Sequence, residues 1–271
     1  MKQNDRLRQI IVLASATIAL IGGFIGSGAA GGKPIAEASG GALSADATPV
    51  APDGPAFAIW SVIYAGLIAY AIWQALPAQK TAERHRRLGY PIVLSLLLNA
   101  AWILSVQFDV LWASVPVIVL LLIVLIGAFR ITLASRPRNL IDGIVTDGTV
   151  GLYLGWVTIA TVANIAAVLA AVGFDGFGLS PDTWGVILII VAGLIGMGLA
   201  LYSGGRLAPS ASLSWGIAWV AVGRLLGDLQ STPTGITAIV VVVAIWVVTI
   251  VARVRAPRPL PERTRSSASV R

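Results

Sequence analysis

The chain has 271 residues, 57% of them hydrophobic and only 11% charged, and a mean hydropathy of +0.87, which excludes an ordinary soluble domain. Its net charge of +7 would suit nucleic acid in a soluble protein, but here the Lys and Arg residues flank apolar runs, where they orient a membrane chain, so no nucleic-acid partner is expected. With no cysteine and a single histidine, His85, placed in a charged loop, neither disulfides nor the usual Cys/His metal cages are available.

Apolar runs recur at the length a helix needs to cross a hydrocarbon core of about 30 Å at about 1.5 Å per residue. Stretches such as Val117 to Ala128 do not alternate in polarity, which argues against a β-barrel. The expected fold is an all-α integral membrane protein with about eight transmembrane helices, near residues 10–30, 55–77, 91–108, 111–130, 149–173, 183–203, 212–229 and 234–252. Several starts carry helix signals. Asp53-Gly54-Pro55, Ser180-Pro181-Asp182 and Thr232-Pro233 each put a capping residue or turn before a proline suited to a first helical turn, and Pro91 opens the third span. Pro116 falls inside the first turns of the fourth and predicts a slight bend.

The amino-terminal segment, residues 1–9, carries Lys2, Arg6 and Arg8. The first span after it also has the make-up of a signal peptide, whose removal would leave seven helices. Gly26 to Gly31 matches a dinucleotide GxGxxG pattern formally, but it ends an apolar helix with no strand before it, and chance is the reading. Residues 31–53, rich in Gly, Ala, Ser and Pro, read as a flexible external loop, either a lid or slack.

Basic residues cluster before span one, after spans two, four and six, and after span eight; the intervening loops are acidic or neutral. Since Lys and Arg accumulate on the untranslocated side, both termini are expected in the cytoplasm of a multi-pass protein of the cell's inner or plasma membrane. Residues 253–271 form a basic cytoplasmic tail able to touch anionic headgroups.

Glycines four apart at Gly22/Gly26, Gly151/Gly155 and Gly223/Gly227 let helix backbones approach closely in lipid. Packing within the chain is the default use, a homodimer the alternative. Arg224 and Asp228, spaced i,i+4, are expected to neutralise each other on one helix face.

Of nine tryptophans, Trp112, Trp184 and Trp215 lie near span ends and suit interfacial belts. Trp60, Trp102 and Trp156 lie further in, with Asn99 and Asn164. At about 1.5 Å per residue, Trp60 and Trp102 lie roughly 8 to 9 Å below the external face and the two asparagines roughly 13 to 14 Å below it. A buried amide in hydrocarbon needs a partner, so these residues face the bundle interior, as interhelical glue or as ligand contacts. Aromatic walls with a few amides suit a planar, largely apolar ligand.

Span two reads Phe57-Ala58-Ile59-Trp60-Ser61-Val62-Ile63-Tyr64-Ala65-Gly66, followed by Tyr70 and Trp73; span three carries Asn99-Ala100-Ala101-Trp102; span five carries Trp156-Val157-Thr158-Ile159-Ala160-Thr161-Val162-Ala163-Asn164. Together these resemble the tryptophan-rich sensory protein or translocator protein (TspO/MBR) family. The resemblance covers about residues 10–173 and implies a five-helix bundle there, extended by three helices over 174–252. Prolines and an additional Trp usual in the second-helix motif are missing, with Ala58 at one expected proline. The resemblance implies binding of porphyrins and other tetrapyrroles or sterol-like molecules, with Trp60, Tyr64, Asn99, Trp102, Trp156 and Asn164 lining or supporting the pocket. No cofactor, metal ligand or catalytic residue is expected. The expected partners are a hydrophobic small molecule, a tetrapyrrole foremost, and the lipid bilayer.

Overall fold

A computed structural model of the chain describes residues 4–26 and 33–256. Its long helices are α1 (Asp5–Gly26), α2 (Ile59–Ala75), α3 (Glu83–Gln107), α4 (Leu111–Ala134), α6 (Thr149–Ala171), α7 (Pro181–Tyr202), α8 (Leu207–Leu226) and α9 (Thr232–Arg255). A single turn, α5 (Leu140–Asp142), passes through a π-helical segment, Gly143–Gly148, into α6. Seven helical stretches among the described residues are long and apolar enough to cross a membrane, and α8 is not one of them.

α1 packs on α2 and α3, α3 on α4, α4 on α6, and α6 on α2. Five helices therefore close a ring in the order α1–α2–α6–α4–α3. Outside it α8 packs on α6, α9 on α8, and α7 on α9. Because α8 lies between the ring and its outer neighbours, it is largely shielded from lipid and can carry Ser210, Ser212 and Ser214 buried, the first paired with Thr249 Oγ1 at 2.9 Å. That is why its composition falls below a lipid-facing helix. At Gly155 of α6 an added Cβ would run into Pro209 O and Ser212 Oγ of α8, and at Gly22 it would meet Ala100 Cβ at 3.7 Å. These glycines serve packing within the chain. Gly26 ends α1, while residues 27–31 of the glycine pattern and 257–271 of the basic tail lie outside the described residues.

Several boundaries depart from the sequence reading. α3 starts eight residues before Pro91, and the fifth span's helix starts at Leu140 rather than 149. Both extensions were masked by charge. Arg84, His85 and Asp142 are buried, so His85 is not in a loop: it lies within α3, its Nε2 3.7 Å from Asp142 Oδ1. Arg84 pairs with Asp147 and stands 3.7 Å from Asp142. The π segment's i→i+5 bonding stacks residues five apart, which brings Asp142 and Asp147 to one face toward Arg84. Thr146 Oγ1 and Trp73 Nε1 donate to Asp142 Oδ1 at 2.9 and 3.2 Å, and Arg206, from the α7–α8 turn, reaches Asp147 at 2.8 Å. Fully buried Arg8 donates to Lys80 O at 2.9 Å. This basic end of the bundle is where α1 begins and α9 ends, since Arg253 of α9 donates to Gly205 O in the same α7–α8 turn as Arg206.

At the opposite end, residues 33–53 are not slack but a lid of successive turns lying over the ring. Ser39 N–H and Oγ donate to Asp109 Oδ1 and Val106 O at 3.0 and 2.8 Å, and Asp53 N–H donates to Trp219 O at 3.2 Å. The expected Arg224–Asp228 pair does not form. α8 ends at Leu226 and Gly227 is extended, which carries the exposed Asp228 off the helix. Buried Arg224 instead donates to the lid carbonyls of Ala45 and Thr48.

Candidate functional site

Beneath the lid the ring encloses two adjoining chambers. The inner one, about 50 Å³, is lined by Trp60, Asn99, Trp102, Trp156 and Asn164, by Phe57 and Ile118, and by Ile35, Leu43, Thr48 and Pro52 from the lid. The outer one, about 560 Å³, is lined by Tyr64, Leu20, Gly23 and Ile103, and shares Ile35, Leu43, Pro52, Phe57, Trp60 and Trp102 with the first.

Helical spacing explains how the sequence places these groups. Trp60 and Tyr64, four apart on α2, present stacked rings with centroids 5.4 Å apart. Asn99 and Trp102, three apart, share a face of α3. On α6 the lining residues Trp156, Ala160, Ala163 and Ala167 follow one stripe at spacings of four, three and four. The alanines make the room: larger side chains there would fill the inner chamber. Trp156 stands edge-on to both Phe57 and Trp60, at 5.7 and 6.3 Å, an arrangement that aromatic quadrupoles favour. All six residues expected at the site are thus brought together, five around the inner chamber and Tyr64 on the outer one.

The two asparagines differ in role. Asn164 Oδ1 accepts from Trp102 Nε1 at 2.5 Å and its Nδ2 donates to Ser114 Oγ at 2.7 Å, tying α6 to α3 and α4. Its amide is committed to the bundle. Asn99 Nδ2 donates to Tyr64 Oη at 2.8 Å, but among the described residues its Oδ1 has no partner, nor do Trp156 Nε1 and Thr48 Oγ1. Buried polar atoms without partners are uncommon, and here the three residues that carry them, Asn99, Trp156 and Thr48, all line one cavity.

Trp112 is exposed, as an interfacial residue should be. Trp184 and Trp215 are more than belt residues, donating their indole N–H to Gly176 O and Ala56 O, both at 2.8 Å. The sequence reading missed Ser114, left residues 31–53 open as a lid or slack, and gave Arg224 a partner, Asp228, that it does not have. Ser114 gives no signal apart from its partner, and the lid lacks periodicity; the alanine stripe on α6 was the one legible clue.

The model of the family described as TSPO-like protein matches residues 10–252. The chain belongs to that family. It is a multi-pass membrane protein of the TspO class, and the match runs past residue 173, where the three motifs end, through α7, α8 and α9. Neither the search of curated proteins nor that of solved structures returned a match.

Proposed function

We propose that this membrane protein is a receptor, sensor or carrier for a planar, largely apolar molecule of the porphyrin or tetrapyrrole type, or one of sterol-like shape, held under the lid. The observation that carries the reading is one cavity walled by Trp60, Trp102 and Trp156, with Asn99 Oδ1 and Trp156 Nε1 left without partners at its border. A flat aromatic ligand stacks on indole faces, and a few peripheral polar atoms satisfy the orphaned amide oxygen and indole N–H. Small-molecule sites span about 300–1,000 Å³, so the outer chamber, at about 560 Å³, is large enough, whereas the inner one admits a ring edge only when the lid lifts.

Iron ligation by histidine has no support, because His85 precedes Asn99 by fourteen residues on α3, about 21 Å along the axis. Thr48, Ser61 and Tyr64 bring hydroxyls to the two chambers, but no carboxylate, histidine or lysine lines either to activate them, which favours binding over catalysis. A transporter of hydrophobic molecules is the second reading. Against a through-path stand buried Tyr153, Leu67 and Tyr70 and the charged network at the basic end. With that end cytoplasmic, the cavity opens in the outer half of the membrane.

Titrating purified protein with protoporphyrin is expected to quench Trp fluorescence saturably, and Trp102→Ala and Asn164→Ala to weaken it. Quenching unchanged in both variants removes the site. Uptake into proteoliposomes would move the assignment to a transporter.

A further inference from the structure

We propose that two of the carboxy-terminal helices, α7 and α8, form a clamp on the lid, with Arg224 as its latch, and so set how fast a ligand leaves the cavity. This rests on the reading of the lidded cavity as the ligand site. Four contacts reach from these helices to the lid segment and its continuation into α2. Arg224 of α8 donates from both terminal nitrogens, to Thr48 O at 3.1 Å and to Ala45 O. Trp219 O accepts from Asp53 N–H at 3.2 Å. Trp215 Nε1 donates to Ala56 O at 2.8 Å. On α7, the bare Cα of Gly185 admits the Pro49 ring: a Cβ there would stand 2.9 Å from Pro49 Cβ.

A guanidinium that is 1% exposed and bonded to main-chain carbonyls is a costly way to join two segments, because its desolvation is offset only while the lid is seated. Two features moderate that cost. Arg224 lies in the last turn of α8, where the helix dipole favours a cation, and the lid carboxylates Asp46 and Asp53 lie close enough to act on its charge. Lifting the lid breaks two charge-assisted hydrogen bonds, which are stronger than neutral ones.

The lid also decides access. Thr48, whose carbonyl Arg224 holds, is itself a lining residue of the inner chamber. An inner chamber of about 50 Å³ cannot take a planar macrocycle while the lid is seated. Arg224 is thus a positioning residue, acting on ligand through the Ala45–Thr48 turn.

The test is amide hydrogen exchange of ligand-free protein in nanodiscs, read over residues 42–53, followed by protoporphyrin dissociation measured as recovery of Trp fluorescence. Exchange in α4 serves as the reference for an intact bundle. In Arg224→Met the lid should lose protection while α4 keeps it, and protoporphyrin should leave about tenfold faster, with no slowing of association. Arg224→Lys, which keeps the charge but reaches one carbonyl, should fall between. Trp215→Phe removes one hydrogen bond at the neighbouring anchor and should loosen residues 53–57 alone. If α4 exchange also rises in Arg224→Met, the bundle has failed in that variant and Arg224→Lys decides. Lid protection unchanged in the folded latch variants overturns the clamp. A loosened lid with unchanged protoporphyrin dissociation overturns the clamp's control of ligand exit, whereas protoporphyrin quenching unchanged in Trp102→Ala overturns the cavity as the porphyrin site.

Discussion

Asn164 joins three helices through two hydrogen bonds, one from Trp102 Nε1 at 2.5 Å and one to Ser114 Oγ at 2.7 Å. In Asn164→Ala the Ser114 hydroxyl keeps its own bond to Leu111 O at 2.6 Å, so its loss is small. The Trp102 indole N–H, on a residue only 7% exposed, is left without an acceptor. An orphaned buried donor costs about 1–3 kcal/mol, whereas side-chain bonds between membrane helices average about 0.6 kcal/mol where they have been measured by double-mutant cycles. The expected destabilisation is therefore about 1–3 kcal/mol, with the lower end applying if the Trp102 indole N–H finds a water in the cavity. Trp102→Phe removes the donor instead and leaves the amide oxygen free. Combining the two changes isolates the bond, and the coupling should be about 1 kcal/mol by equilibrium unfolding in mixed micelles. Additivity to within about 0.3 kcal/mol would refute the argument that this bond ties α3 to α6.

Asp147→Asn should destabilise the bundle by about 3–5 kcal/mol, because Arg84 stays buried without its closest carboxylate; a loss under about 1 kcal/mol would mean that Asp142 alone suffices. Gly155→Ala should force α6 and α8 apart and cost about 1–3 kcal/mol in thermal unfolding, while Gly198→Ala, with nothing within 4 Å of the new Cβ, should leave stability unchanged or slightly raised. The two variants behaving alike would contradict the helix contact. Ser44 Oγ donates to Asp46, and that bond holds the Asp46 carboxyl below its ordinary value. Its stabilisation of the lid is present above the ordinary carboxylate range and is lost as pH falls through the lowered pKa. Lid exchange, corrected for its intrinsic pH dependence, should then stay level from pH 8 to 5 and rise below about pH 4, and in Ser44→Ala that rise should flatten while the lid is less protected already at neutral pH. A rise already near neutral pH would assign the lid's acid sensitivity to another group.

The amino-acid sequence by itself determined the solvent and the all-helical, membrane-spanning fold. Both follow from run length and the need to satisfy every backbone polar group inside a hydrocarbon slab, which are local quantities. It also identified the aromatic and amide residues of the cavity wall, because Trp and Asn inside an apolar span are conspicuous. The same locality misled it where charge is buried by pairing. Arg84, His85 and Asp142 read as loop residues since nothing within a few positions of any of them reveals its partner, and Asp228 looked like the partner of Arg224 only because helical continuation past Leu226 was assumed. Which asparagine is committed and which keeps a free oxygen, that residues 33–53 form a seated lid, and that α7 and α8 reach across to hold it were decided by tertiary structure alone. Each depends on atoms brought together from segments far apart in the chain, as Arg224 is from Thr48, and no periodicity in a single helix encodes such a meeting.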